Sequence, residues 1–142
     1  MTLQSFSNYL SNGIVKKQRP NLERARSLIE DSKNKKEFLE DVIKNFKNQN
    51  YPNFVIEYSY DILMQIIRAK MFIDGYNSSN SHEAEVSYLK VLGFNEIDLR
   101  FMDELRYNRN GIKYYGNNFE EDYAKKVLEF LNKMYPKLLK FI

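Results

Sequence analysis

The chain has 142 residues, enough to bury a core of its own as one domain without disulfides or metals. Hydrophobic residues make up 43% and charged residues 29%, a globular composition that excludes both a disordered chain and a membrane-embedded one. The 22 basic and 19 acidic residues leave a charge of +3, which permits an RNA or acidic partner without demanding one. The lack of cysteine excludes a disulfide framework and a thiolate metal site.

The start, Met1-Thr2-Leu3-Gln4-Ser5, has no basic patch followed by a long apolar run, so no signal peptide is expected. Cysteine-free composition and the lack of any apolar stretch near ~20 residues point to a cytoplasmic, non-membrane protein. Residues 1–18 read as a short helix or an ordered tail ending at Asn12-Gly13, and residues 19–142 as a bundle. Pro20-Asn21 opens a long helix whose stripe runs Ala25, Leu28, Ile29, Ser32, then Leu39, Val42, Ile43 and Phe46. The polar stretch 33–36 is where this helix would bend, and Asn48-Gln49-Asn50 where it would stop. Pro52 suits the first turn of the next helix, where its missing N–H has no partner to lose. Residues 54–73 are apolar on several faces, which places that helix at the centre of a bundle or in an oligomer interface.

Residues 75–79 read as a loop, and Asn80 with Glu83 as a capping box opening a short helix that ends at Gly93. Asn95 caps the following helix, with Ile97, Phe101, Leu105, Asn108 and Ile112 as its inward stripe and an end near Lys113. Asn118 with Glu121 reads as the cap of the last helix, which carries Tyr123, Val127, Leu131, Met134 and Leu138 on one stripe and is kinked or frayed at Pro136. No alternating run is long enough for a sheet. The expected fold is therefore all-α, a single-domain, up-and-down antiparallel bundle of four to six helices.

Chemistry is concentrated in one place. His82 is the only histidine, so neither a histidine-built zinc site nor a Ser-His-Asp arrangement can be read, and a structural or solvent role is expected for it. The five glycines are scattered, which excludes a phosphate loop, and no cofactor is implied. Residues 103–116, by contrast, gather Arg106, Arg109, Asn110, Lys113 and Tyr114 around one helix end. Guanidinium groups beside aromatic rings suit a phosphate-and-base ligand. The plain alternative is a solvated face in which both arginines pair with Asp103 or Glu104.

The run Arg109-Asn110-Gly111-Ile112-Lys113-Tyr114, in an all-helical chain and before a long last helix, resembles the HEPN family. These are small helical domains, commonly dimeric and often paired with a minimal nucleotidyltransferase, and family ribonucleases carry an arginine, a polar residue and, after a short spacer, a histidine. Here Tyr114 stands where that histidine would be. A histidine, with a reference pKa near ~6.5, exchanges protons at neutral pH, whereas a tyrosine near ~10 holds its proton. The resemblance implies a non-catalytic module, probed first at Arg106, Arg109, Asn110, Lys113 and Tyr114, that binds nucleotide or RNA or partners a nucleotidyltransferase as a homodimer. The alternatives are a metal-independent, toxin-like ribonuclease of a toxin–antitoxin pair, using Arg109, Asn110 and Tyr114, and a purely structural helical protein.

Overall fold

The computed structural model describes residues 3–46 and 51–142. Six helices and one short ladder are found among them: α1 Phe6–Ser11, β1 Lys16–Lys17, α2 Leu22–Asn45, α3 Pro52–Asp74, β2 Tyr76–Asn77, α4 His82–Val91, α5 Glu96–Tyr115 and α6 Glu121–Leu139. The all-α expectation holds. None of these helices is long and apolar enough to cross a membrane.

The apolar surround of α3 decides the arrangement. Val55, Ile62, Ile66 and Ala69 are buried on one side, and Ile56, Leu63, Ile67 and Met71 on others. A helix apolar all round has to be covered all round, and here the chain covers α3 itself. Its apolar excess is used inside one molecule and is no sign of an oligomer interface. One continuous core draws on all six helices.

Paired side chains give the directions. Asn21, ahead of α2, donates its N–H to Phe72 O at the end of α3 (3.0 Å), and the Tyr51 hydroxyl donates to Val42 O (3.2 Å), so α2 and α3 are antiparallel. Asn53, in the first turn of α3, donates Nδ2 to Asn117 O (3.0 Å) and accepts the Phe119 N–H (3.0 Å), which sets the heads of α3 and α6 side by side. α5 runs against α6, with Asn108 beside Tyr123 and Asp98 beside Lys133. The pairs Tyr60–His82, Arg68–Glu85 and Asp74–Tyr88 advance in step, so α4 runs in the same sense as α3. Sequence-adjacent α3 and α4 are therefore not antiparallel, because residues 75–81 return along α3 before α4 begins.

Local signals were mostly read at the right place, with corrections. α2 is continuous through residues 33–36, and its expected stop at 48–50 lies outside the described residues. Gly93 sits left-handed after α4 (φ 92°), with Phe94 N–H bonded to Leu89 O and Gly93 N–H to Lys90 O, a Schellman ending. The cap of α4 is Ser81, whose Oγ accepts the Ala84 N–H, one residue after the expected Asn80. α6 begins after Glu120, while Asn118 turns to Asn53 instead of capping, and α6 continues through Pro136 to Leu139. A small antiparallel ladder pairs Lys16 with Asn77 and Lys17 with Tyr76, where no strand was expected. It ties the N-terminal segment to the end of α3, and Gly75 is required there: at φ 86° a Cβ would lie 2.8 Å from Gln18 O.

The largest correction concerns α5. Its most buried line is Asp98, Met102, Leu105 and Arg109; of the expected stripe Leu105 is fully buried and Phe101 and Ile112 pack on the core, while Ile97 is 75% exposed. Lys133 pairs with Asp98 and Asp61 with Arg109, so both polar ends of that line tolerate burial. Met102→Ala is expected to cost about 2–5 kcal/mol, as large-to-small core changes do, whereas Ile97→Ala stays within ~0.5 kcal/mol. Urea denaturation of the two variants checks this ordering, and equal losses would restore the original stripe.

Candidate anion-binding cleft

Arg106 and Arg109 leave α5 on the side facing the start of α4, which helical spacing of three residues permits. Both are buried. Arg106 donates Nε to Asp103 Oδ1 (2.9 Å), and its Nη1 lies 3.8 Å from Glu83 Oε1. Arg109 donates Nη2 to Asp61 Oδ1 on α3 (3.3 Å), and its guanidinium carbon stands 5.3 Å from the centre of the Tyr60 ring. The Nε of Arg109 is buried without an acceptor among the described residues. The expected solvated arginines are thus half right. They pair with carboxylates, Asp103 among them and Glu104 not, but they do so in the interior.

These groups open onto a cleft of about 320 Å³ between α4 and α5, lined by Asn80, Ser81, His82, Glu83, Arg106, Arg109, Asn110 and Tyr114. Four of the five predicted residues therefore meet here. Lys113 does not line the cleft; it is exposed, with Nζ 5.5 Å from the centre of the Tyr114 ring. Tyr114 stands at the rim, 65% exposed.

His82 is the residue that spacing along α5 could not find, since it arrives from another helix. Its Nδ1 lies 3.0 Å from the hydroxyl of Tyr60, which is fully buried. Burial pushes the Tyr60 phenol well above its ordinary range, with the charge of Arg109 opposing only in part. The phenol therefore keeps its proton, and the direction of its hydrogen bond with Nδ1 follows the tautomer of His82. Burial, helped by Arg68 and Arg109, pulls His82 below the usual histidine value against the pull of Glu85. At neutral pH the cleft then presents a neutral imidazole, two guanidinium groups and the Asn110 amide.

A larger groove of about 630 Å³ lies at the other end of the α4–α5 seam, under α1, with Leu3, Phe6, Leu10, Val91 and Leu99 in its wall. It is the roomier space but collects less chemistry. Among the described residues, no group of three or more histidine, cysteine or carboxylate side chains is gathered to hold a metal. Comparison with known protein families, curated proteins and solved structures finds no match to this chain.

Because the folded pKa of His82 is lowered, folding favours its neutral form. Stability from this site is present above the unfolded value of ~6.5 and is lost as pH falls through and below it. His82 is the only histidine, so one NMR titration reads it without assignment. A midpoint below ~6.5 is expected, and His82→Gln should flatten the fall of stability between about pH 6.5 and 5. A midpoint above that value would contradict the burial of the ring.

Proposed function

We propose that this chain is a HEPN-like helical module that binds the phosphate of a nucleotide or of RNA in the α4–α5 cleft and does no chemistry on it. The observation that carries the reading is the convergence of Arg106, Arg109, Asn110, His82 and Tyr114 on one cleft. Guanidinium forks and imidazole and amide N–H groups donate, as an anionic oxygen requires, and a tyrosine at the rim suits a base. In this reading Tyr60 donates to Nδ1 and Nε2 carries the imidazole proton, so His82 donates a hydrogen bond and keeps no lone pair free to take a proton.

Asp61, Asp103 and Glu83 lie beside the arginines, so an incoming phosphate competes with carboxylates already in place. Moderate affinity and a steep loss with salt are the expected result. Residence in a homodimer, or beside a nucleotidyltransferase, belongs to the same reading and rests on the resemblance of residues 109–114.

Binding of AMP and of a labelled RNA strand by the full chain tests the proposal. Arg109→Gln should weaken both by about tenfold or more, the worth of a hydrogen bond to a charged group. Circular dichroism of the variant checks that it is folded. Undiminished affinity in a folded Arg109→Gln protein, or no affinity in the parent, overturns the cleft reading.

A second reading, metal-independent cleavage of RNA, is favoured by one observation: a histidine does stand in the cleft, though not at position 114. It requires the other tautomer, with Nδ1–H donating to the Tyr60 oxygen. Incubation with RNA in chelator decides between the two. Cleavage that survives Tyr114→Phe and vanishes in His82→Ala would establish the second reading, and intact RNA favours the first.

A further inference from the structure

The cleft does not end at Tyr114. Arg100, Tyr107 and Tyr114 follow one another at intervals of seven residues along α5, each step turning the side chain by only about 20° and advancing it by about 10.5 Å. All three are exposed, Tyr107 and Tyr114 by 64% and 65%. Asn110, at the cleft wall, falls between the two tyrosines on the same side of the helix. Arg100 has no ion-pair partner among the described residues, unlike Arg106 and Arg109. Nothing in the core calls for either tyrosine: the inward face of α5 is complete with Met102 and Leu105.

We propose that this face is a track for a single-stranded polynucleotide, with one phosphate in the arginine cleft, bases stacked on Tyr114 and Tyr107, and a second phosphate at Arg100. The proposal rests on the phosphate-binding reading of the cleft and extends it from a mononucleotide to a strand. Two exposed rings separated by two helical turns suit bases that are not paired with each other. A duplex keeps its base faces stacked inside and has none to offer them. A mononucleotide fills the cleft and Tyr114 but cannot reach Tyr107. On charge, Asp103 is occupied by Arg106 and Glu96 by Lys90 (3.2 Å), while the exposed Glu104 stands one helical turn from Arg100 and offsets part of its charge.

The test uses fluorescence anisotropy on the full chain with fluorescein-labelled RNA and DNA strands of one sequence, the matching duplex, and AMP as competitor. Both strands should bind more tightly than the duplex. Tyr107→Ala should weaken strand binding by about tenfold, the effect of losing one stacked base, and leave AMP competition at the cleft unchanged, with Tyr107→Phe restoring the affinity. Arg100→Ala should weaken the strands and lower the salt slope by about one. Equal binding of RNA and DNA supports a track that holds phosphates and bases alone, and tighter binding of RNA that still depends on Tyr107 assigns the track to RNA. If the duplex binds as well as the strands, or Tyr107→Ala changes nothing while Arg109→Gln abolishes binding, the track is overturned and the cleft reading stands. If neither AMP nor any strand binds the parent, both fall.

Discussion

Water is excluded from α3 on nearly every side, and the other helices are placed by what they must cover on it. Leu63, Ile66 and Ile67 have no exposed surface at all. Each fully buried aliphatic side chain of this kind gains on the order of 1.5–3 kcal/mol relative to exposure, which is large beside the few kcal/mol by which a domain is stable. α2 and α6 both lie along α3 and meet each other where Leu39 and Ile43 face Leu128, and α4 and α5 cover more of it. The cleft lies where the last two meet, so its walls are held by the same burial that holds the core.

The same packing forces charged groups inward, and pairing is what makes that tolerable. Glu85 is fully buried and receives both Nε and Nη2 of Arg68 (2.6 and 2.9 Å) together with the Ser78 hydroxyl (2.7 Å). Both oxygens of that carboxylate are used, and the planar fork of arginine suits it better than lysine would. Arg68 and Glu85 bind α3 to α4 about two turns along α3 from Tyr60 and one turn along α4 from His82, so the histidine is oriented by a neighbour already fixed. Arg106 and Arg109 are restrained by the same device. Their carboxylate partners lower the net charge of the cleft but keep its guanidinium groups from folding away, so that a ligand meets donors already in position.

The helices themselves were legible because their signals are local. Asn21 and Asn95 cap where asparagine before an apolar run says they should, Pro52 opens α3, and Gly93 closes α4. The stripes of α2 and α6 needed only periodicity. What failed was decided by tertiary partners. Ile97 looked like the first residue of a core stripe, yet Asp98 beside it is buried because Lys133, 35 positions away, meets it. Asn118 has the spacing of a cap but serves Asn53 instead. The ladder of Lys16-Lys17 with Tyr76-Asn77 carries no strand pattern, being two residues on each side. For the cleft, Arg106, Arg109, Asn110 and Tyr114 were visible as neighbours on one helix. His82 was visible only as a lone histidine, because no spacing rule connects residue 82 to residue 109 until α4 has folded back along α3.

Asn53 has a bearing on how the chain reaches this arrangement. One amide side chain fastens the turn before α6 through partners 64 to 66 positions away, Asn117, Asn118 and Phe119. Closing so long a loop costs entropy before the contact repays it. The hairpin of α2 and α3 closes over a much shorter span and offers α3 a first cover. Asn53 fastens the head of α6 to the head of α3. The turn it holds is the one that follows Tyr114, so a side chain on α3 steadies the rim of the cleft.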